Sequence, residues 1–143
     1  PSAQVWDDTA TIAHFSRFAR IFGALARYRR HLMAEAEQLG WPVVRPLLLH
    51  FPEDSVAPLL SLQFLLGEDL LVAPVLDPGR SSARAYLPAV EGGWVHVWTS
   101  RLYGKGDSSG EWAVVAAPLG QPPVFYRAES RFRDVFEQIA TIH

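Results

Sequence analysis

The spacing of the apolar residues changes once along this chain, near Gly40, and this change limits the possible folds more than any other feature. Before Gly40 the apolar residues recur at three- and four-residue steps, which is the spacing of one apolar stripe on a helix. These residues are Phe15, Phe18, Phe22, Leu25 and Leu32. After Gly40 come short apolar runs separated by Gly and Pro, a pattern typical of strands. The sequence therefore predicts a helical segment followed by a β-rich part.

The helical pattern covers about residues 8–39. Asp7 and Asp8 come at its start and can accept hydrogen bonds from the free N–H groups of a first turn. Gly40 can adopt the left-handed conformation that closes a helix, and Pro42 prevents the helix from resuming. Gly23 can divide the segment into two helices. The basic residues of this segment are expected to form a solvated face opposite the stripe; they are Arg17, Arg20, Arg27 and His31.

Four short elements are predicted directly after Gly40. They are a buried strand over 43–50, a turn over 52–54, a short helix over 56–66 that ends at Gly67, and a buried strand over 70–76. The two strands are predicted because each run is short, apolar and rich in branched residues. Pro74 cannot donate a ladder hydrogen bond, so it indicates a sheet edge or the end of pairing.

The remainder of the chain predicts an antiparallel β-sandwich. Its short apolar runs are separated by turn signals about every 8–12 residues, which is the spacing typical of such folds. The runs cover 84–87, 94–99, 111–117 and 123–127, with turns at 78–79 and 92–93 and a polar loop over 104–110. A final helix is predicted over 132–142, where apolar residues again recur at helical spacing.

In this order the elements predict a barrel remnant of the α/β class followed by an all-β unit. A long helix that leads into a buried strand is what the last βα element of a (β/α)₈ barrel looks like, and a whole barrel needs about 250 residues. We therefore predict that residues 1–67 form the C-terminal end of a barrel and residues 68–143 form a β-sandwich with a closing helix. The chain opens on Pro1 and not on Met, so we expect another segment before it.

The composition excludes several classes of function. The net charge is −2 with both signs spread along the chain, which does not favour binding to nucleic acid or to an anionic membrane. The absence of Cys excludes disulfides and thiolate chemistry and is compatible with the cytoplasm. The five His residues do not stand at metal-binding spacings, so no metal site is predicted.

The sequence has three pairs of adjacent acidic residues, and a catalytic pair of the glycosidase type needs two carboxyl groups on opposite sides of a sugar. Asp7/Asp8 and Glu53/Asp54 are explained as a helix start and a turn. Glu68/Asp69 precedes a buried strand and is the one weak catalytic candidate. The five Trp residues are interpreted as core and rim of the sandwich in preference to a sugar-stacking platform.

Three stretches are similar to motifs of glycoside hydrolase family 31. The first is Gly40-Trp41-Pro42-Val43-Val44-Arg45-Pro46-Leu47 followed by Phe51-Pro52-Glu53-Asp54, and the second is Gln63-Phe64-Leu65-Leu66-Gly67-Glu68-Asp69-Leu70-Leu71-Val72-Ala73-Pro74-Val75. The third combines Tyr86-Leu87-Pro88, Trp94, Trp98-Thr99, Ala117-Pro118-Leu119-Gly120 and Pro123-Val124-Phe125-Tyr126-Arg127 with Ser130. The run from Ala117 to Ser130, together with the closing helix, is most similar to the sulfoquinovosidase branch of the family. An α-glucosidase or an α-xylosidase remains an alternative.

The resemblance implies a retaining α-glycosidase that uses no cofactor and no metal. It places the catalytic aspartates and the sugar-binding residues upstream of Pro1, so no catalytic, substrate-binding or metal-binding residue is carried over to this chain. Arg45 and His50 lie on the predicted closing strand, from which they could approach the substrate site. The favoured expectation is that Arg45 pairs with a neighbouring barrel carboxylate. The implied partners are the rest of the barrel and, through it, a glycoside; no nucleic acid and no membrane are expected. The alternative is a stand-alone carbohydrate-binding or interaction module.

Overall fold

The computed structural model describes residues 9–75, 81–104, 109–118 and 120–143. The helices within these ranges are α1 (Thr9–Ala24), α2 (Ala26–Leu39) and α3 (Arg133–Glu137). The strands are β1 (Val44–Pro46), β2 (Phe64–Leu66), β3 (Leu70–Val72), β4 (Ser82–Leu87), β5 (Trp94–His96), β6 (Leu102–Tyr103), β7 (Glu111–Ala116) and β8 (Val124–Arg127). Short 3₁₀ turns cover Leu47–Leu49, Ala57–Leu59 and Gln138–Thr141. Across the described ranges, no helix is both long enough and apolar enough to span a bilayer.

The described strands form two antiparallel sheets. One has six strands in the order β1-β2-β3-β8-β5-β6, and the other is a two-stranded ribbon of β4 and β7. β2 and β3 form a hairpin through the turn at 67–69, with Leu66 opposite Leu70. After β7 completes the ribbon, the chain returns to the six-stranded sheet, where β8 fills the position between β3 and β5.

The six-stranded sheet is buried on both faces because helices cover one face and the ribbon covers the other. Successive side chains of a strand point to opposite faces. Val95 and Tyr126 therefore join the helical core with α2 and α3, whereas Trp94 and Phe125 join the core under the ribbon. The molecule thus has three layers, with its predicted antiparallel sandwich formed by the sheet and the ribbon.

The predicted helical segment is confirmed as two helices that meet at Leu25, just after Gly23. Gly40 closes α2 in the left-handed conformation with φ of 72°, as predicted. The expected solvated basic face is confirmed for Arg20 and Arg27, which are exposed, but not for the half-buried Arg17 and His31. Arg17 donates to the carbonyl oxygens of Ile142 and Gly120 at 3.1 and 3.0 Å.

The other basic residues of this face also bind within the molecule. Arg20 donates to the carbonyl oxygen of His143, and Arg27 forms a two-pronged ion pair with Asp134 of α3 at 2.6 and 3.0 Å. The polar side of the two helices is thus turned toward the C-terminal segment.

Three predicted elements are corrected by the structure. The strand expected over 43–50 is only β1, since the chain enters a 3₁₀ turn directly after Pro46, and its neighbour β2 is antiparallel. The helix expected over 56–66 is a 3₁₀ turn followed by β2, and Gly67 opens the hairpin turn with φ of 64°. The strand expected over 70–76 is β3 to Val72, followed by one more backbone hydrogen bond from Ala73 to the Pro123 carbonyl oxygen, and no strand continues through 73–75; Leu76 lies outside the described residues.

The later predicted runs are confirmed within one to three residues as β4, β5, β7 and β8. The final helix is shorter than expected, because α3 continues as a 3₁₀ turn. Several predicted features lie outside the described residues: Asp7, Asp8, the turn at 78–79 and most of the loop over 104–110.

Candidate functional site

A charged cleft of about 490 Å³ lies where α2 meets the β2–β3 turn and the segment that follows β8. Most of the side chains that line it are ionisable. The lining residues are Tyr28, His31, Glu35, Glu68, Asp69, Glu91, Arg127, Glu129, Ser130 and Arg131. The cleft contains the one weak catalytic candidate from the sequence, the pair Glu68/Asp69.

One guanidinium holds both members of this pair. Arg127 Nη2 lies 3.8 Å from Glu68 Oε1, and Arg127 Nε lies 4.0 Å from Asp69 Oδ1 and donates to the Glu68 carbonyl oxygen at 3.0 Å. Asp69 also accepts a hydrogen bond from Ser130 Oγ at 2.7 Å. A shared arginine and a local hydroxyl are the surroundings of a structural ion-pair network. They differ from the apolar pocket that keeps a glycosidase acid protonated.

Tyr28 fixes α2 to the turn that carries this pair. Its hydroxyl donates to the carbonyl oxygen of Leu66 at 2.5 Å and accepts from the N–H of Asp69 at 3.2 Å. Burial raises the pKa of Tyr28 well above its ordinary value, and the N–H of Asp69 opposes this shift. Because Gly67 has no side chain, the Tyr28 ring can lie directly against the turn.

Arg45 lies behind the cleft and is almost completely buried, with 1 % of its surface exposed. Its guanidinium contacts three different partners. Nη2 donates to Glu35 Oε1 at 3.2 Å, Nε donates to the carbonyl oxygen of Pro42 at 2.7 Å, and Nη1 lies 3.1 Å from His50 Nε2. The expectation that Arg45 pairs with a carboxylate is confirmed, and the carboxylate belongs to α2.

The cluster extends along α2 to the surface. His31 Nε2 lies 3.2 Å from Glu35 Oε1, and His31 Nδ1 lies 2.8 Å from Arg131 Nη2. The spacing of His31 and Glu35, four residues apart on a helix, is a signal for this contact that sequence reasoning did not use. The partners Arg45 and Arg131 come from distant segments, and local spacing carries no signal for them.

His50 lies beside this cluster, with its ring stacked on Trp41 at a centroid distance of 5.3 Å. Burial lowers the pKa of His50, and the nearby Arg45 and Arg127 lower it further, whereas Glu68 and Glu35 act in the opposite direction. The neutral imidazole is thus the favoured form at this position.

A second set of polar contacts joins the turn at 52–54 to the ribbon. Tyr86 donates its hydroxyl hydrogen to Asp54 Oδ2 at 2.6 Å, while Asp54 Oδ1 accepts from the N–H groups of Val56 and Ala57 at 2.8 and 3.0 Å. Burial, followed by the Asp54 carboxylate, raises the pKa of Tyr86 to about 12. These contacts satisfy local backbone groups and engage both oxygens of the carboxylate.

The tryptophans do not form a common platform. Trp94 is fully buried and donates to the Pro88 carbonyl oxygen at 2.8 Å, and Trp98 donates to the Pro122 carbonyl oxygen at 2.7 Å. Trp41 is covered by His50, and Trp112 is partly exposed on the ribbon beside Arg84. The interpretation as core and rim is confirmed for these four; Trp6 lies outside the described residues.

The described residues contain no group of three or more His, Asp or Glu side chains that could hold a metal ion. The absence of a metal site in the protein stays a prediction. The geometry of the cleft is that of a structural junction between a helix, a hairpin turn and a strand end.

Comparison with known proteins gives consistent matches. Residues 40–130 match the model of the glycosyl hydrolase family 31 C-terminal domain. The chain is 43 % identical over 135 residues to a sulfoquinovosidase of Escherichia coli (strain K12), which covers 94 % of this chain and 19 % of the relative. It is 42 % identical over 139 residues to a sulfoquinovosidase of Agrobacterium fabrum, which covers 97 % of this chain and 20 % of the relative.

A solved structure is also similar over nearly the whole chain. It is a family-31 sulfoquinovosidase from E. rectale in complex with the aza-sugar inhibitor IFGSQ, with 36 % identity and a TM-score of 0.88. The match covers 98 % of this chain and 20 % of that structure. The chain therefore spans about one fifth of the length of the relatives that it matches.

Proposed function

This chain belongs to glycosyl hydrolase family 31, and from that premise we propose that it is the C-terminal supporting part of an α-glycosidase that hydrolyses sulfoquinovosides. The observation that carries the proposal is the identity of 42–43 % with two sulfoquinovosidases over 94–97 % of the chain. The reaction we propose is a retaining cleavage of the glycosidic bond by two carboxyl groups.

The surface of α1 supports a position against a larger body. Phe15, Phe18 and Phe22 are 71, 47 and 60 % exposed and line an outward-facing groove of about 410 Å³ with Ala19, Ile21 and Leu25. At the same time Arg17 of this helix is turned inward to backbone carbonyls. A stripe of exposed phenylalanines on a helix is typical of a surface that another part of a protein covers. We propose that the remaining barrel covers it.

The boundary between the barrel and the β part is proposed near Gly40. β1 and β2 pair with each other and, through the 67–69 turn, with β3, so the six-stranded sheet extends across the division predicted between residues 67 and 68. In this proposal α1 and α2 belong to the barrel, while everything from Trp41 onward belongs to the β part.

We further propose that the catalytic carboxylates lie outside this chain. Glu68 and Asp69 are engaged by Arg127 and Ser130, and Asp54 is engaged by Tyr86 and two backbone N–H groups. The alternative of a stand-alone carbohydrate-binding module is less favoured, because such a module would present polar residues where α1 presents phenylalanines.

The test is a comparison of hydrolysis of chromogenic α-sulfoquinovoside and α-glucoside substrates by this chain and by the longest product of its reading frame. We expect turnover only by the longer product, with the sulfoquinovoside preferred. A longer product that prefers the α-glucoside would contradict the substrate proposal. Turnover by the 143-residue chain alone would contradict the position proposed for the catalytic carboxylates.

A pair of variants of the longer product makes the test specific. Glu68→Gln and Asp69→Asn remove the negative charges while keeping the shape of each side chain. If these carboxylates only hold the turn, kcat stays within a few-fold of the unaltered enzyme. A loss of about 10⁴-fold or more in kcat, the scale for a missing catalytic group, would place the dyad in this chain.

A further inference from the structure

The ribbon of β4 and β7 has two outer edges, because each of its strands pairs only with the other among the described residues. Along an antiparallel pair, residues whose N–H and C=O groups bond to the partner strand alternate with residues whose groups point away from it. The edge of β4 is occupied at Tyr86, whose N–H donates to Gln63 Oε1 at 2.7 Å and whose carbonyl oxygen accepts from Gln63 Nε2 at 2.9 Å. The backbone groups of Tyr86 therefore point away from β7.

This alternation also fixes the direction of the backbone groups on β7. Tyr86 lies opposite Trp112 in the register of the ribbon. That pair exchanges no hydrogen bonds, and neither do the pairs that follow it at every second residue of β7. The N–H and C=O groups of Trp112, Val114 and Ala116 thus point away from β4, and within the described part of the chain they have no hydrogen-bond partner. β7 consequently presents an open edge.

The open edge of β7 lacks the features that keep sheet edges from pairing. Proteins protect such edges with charged side chains, Pro, bulges or a covering segment. Residues 112–116 contain no charged residue, no Pro and no Gly. The side chains of Trp112 and Val114 are 44 and 67 % exposed. An exposed apolar edge of this kind is a surface to which another strand adds.

We propose that β7 pairs with β7 of a second copy of this chain, in an antiparallel arrangement centred on Val114. Val114 then exchanges two backbone hydrogen bonds with its own counterpart, and Trp112 of each copy does the same with Ala116 of the other. This single register satisfies all the outward-pointing groups of these three residues. An antiparallel pair of identical strands has two-fold symmetry, which is the commonest symmetry of protein dimers. The two ribbons together form one four-stranded sheet.

The side chains on the exposed face of β7 fit this register. The large ring of Trp112 lies opposite the small Ala116, and this happens twice across the two-fold axis. The two Val114 side chains face each other, and cross-strand pairs of branched apolar residues stabilise antiparallel sheets. Glu111, the charged residue of β7, lies opposite Ala117 of the second copy, so like charges do not meet. Identical strands are therefore complementary here without any change in the chain.

The layers of the fold favour a second copy over the remaining barrel as the occupant of this edge. Helices cover one face of the six-stranded sheet and the ribbon covers the other. The exposed phenylalanines of α1, which we assign to the barrel contact, belong to the helical layer. The ribbon lies in the opposite layer and is available for another partner. This step rests on the place proposed for the barrel, but the dimer is measured without substrate, so its failure is distinct from a failure of the hydrolysis test.

The experiment is sedimentation velocity of the longest product of the reading frame at micromolar concentration. We expect a species with twice the mass of one chain. Val114→Lys and Val114→Glu each place two like charges opposite one another across the two-fold axis, so each variant alone should weaken the dimer on the order of 100-fold. A mixture of the two variants places opposite charges across the axis and should restore the dimer. Val114→Thr keeps the branched shape without a charge and is the matched control, which should remain dimeric.

A second measurement needs no variant. Hydrogen–deuterium exchange of the unaltered longer product should show that peptides covering 111–117 gain protection as the protein concentration rises, while peptides from 26–39 keep theirs. The proposal is overturned if the unaltered protein is a monomer at micromolar concentration or if the protection of 111–117 does not depend on concentration. It is equally overturned if both charged variants remain dimeric, or if their mixture stays monomeric.

Discussion

The carboxylate of Asp54 accepts three hydrogen bonds, two from backbone N–H groups and one from the Tyr86 hydroxyl. Removing it in Asp54→Ala leaves these donors without a partner, and we expect a loss of about 1–3 kcal/mol in the free energy of unfolding. Urea denaturation at pH 7 measures this loss. The exposed neighbour variant Glu53→Ala is the control and should change stability by less than about 0.5 kcal/mol.

The effect of Asp54→Ala depends on pH in a defined direction. Burial alone would raise the pKa of Asp54, but the hydrogen bonds from Tyr86, Ala57 and Val56 lower it below the ordinary 3.8. A carboxyl group with a lowered pKa stabilises the folded state above its ordinary pKa and loses that effect as the pH falls through the folded value. The difference in the free energy of unfolding between Asp54→Ala and the unaltered chain should therefore become smaller below pH 4. A difference in the free energy of unfolding that becomes larger below pH 4 would contradict this account.

His96 is a buried residue whose Nε2 has no hydrogen-bond partner among the described residues, while its Nδ1 lies 2.8 Å from Thr99 Oγ1. Burial lowers its pKa, so acidification below about 6.5 favours the unfolded state, which takes up the proton more readily. His96→Met is similar in size and does not titrate. We expect urea midpoints at pH 7.5 and 5.0 to differ less for His96→Met than for the unaltered chain. An equal difference would show that His96 is not a source of acid sensitivity.

At the residue scale, the sequence predicted a side-chain contact only where the two residues are close in the chain or where a buried charge needs a counter-charge. Arg45 was expected to find a carboxylate because a buried charge needs a counter-charge, and it did. The solvated face expected for Arg17 was wrong, because its partners are backbone carbonyls more than 100 positions away. No local pattern reports such partners.

Gly67 and Gly23 are expected to differ in how well they tolerate replacement by alanine. Gly67 opens the β2–β3 turn with φ of 64°, and a Cβ there would meet the side chains of Leu32 and Tyr28. We expect Gly67→Ala to cost roughly 2–4 kcal/mol, the sum of a left-handed alanine and overpacking. At Gly23, in the last turn of α1, a methyl group would meet no described atom within 4 Å. Gly23→Ala is expected to be neutral or to stabilise by up to about 1 kcal/mol.

Thermal unfolding of the two variants checks this contrast. A lower Tm for Gly67→Ala together with an unchanged or higher Tm for Gly23→Ala is the expected result. An unchanged Tm for Gly67→Ala would mean that the hairpin turn tolerates a side chain and that α2 is not held against it.

At the element scale, the predictions succeeded where one period persists and failed where the segment is too short to show one. The helices α1 and α2 and the strands β4 and β7 extend over many residues with a clear pattern. The segment over 56–66 is rich in Leu and was predicted as helix, but β2 pairs with β1 and β3 on both sides. Tertiary pairing thus overrides the helical preference of leucine.

At the scale of the whole molecule, the family motifs predicted more than the pattern did. Period and turn signals predicted an antiparallel β part but not the antiparallel pairing of β1 with β2, since a short apolar strand has the same pattern in parallel and antiparallel sheets. The place of residues 43–50 in a barrel wall stays a prediction. The candidate cleft was found from the sequence only through Glu68/Asp69. Its remaining residues come from α2, from the loop before β5, from β8 and from the segment after β8, and only the fold brings these segments together.

The exposed phenylalanines of α1 provide the last prediction, which concerns the molecule and its surroundings. Phe15→Ser combined with Phe22→Ser removes two large apolar side chains that are 71 and 60 % exposed. In the 143-residue chain this change should reduce self-association without loss of stability, because these side chains contribute little to the internal core. In the longer product the same change should lower the Tm by several degrees, since there we propose that the barrel buries both rings.

Phe15→Leu with Phe22→Leu keeps the apolar surface and is the control, with much smaller effects in both proteins. Sedimentation velocity of the short chain and thermal unfolding of the long one measure the two arms. An unchanged Tm in the longer product would mean that α1 faces solvent there too, and the place proposed for this helix against the barrel would have to be abandoned.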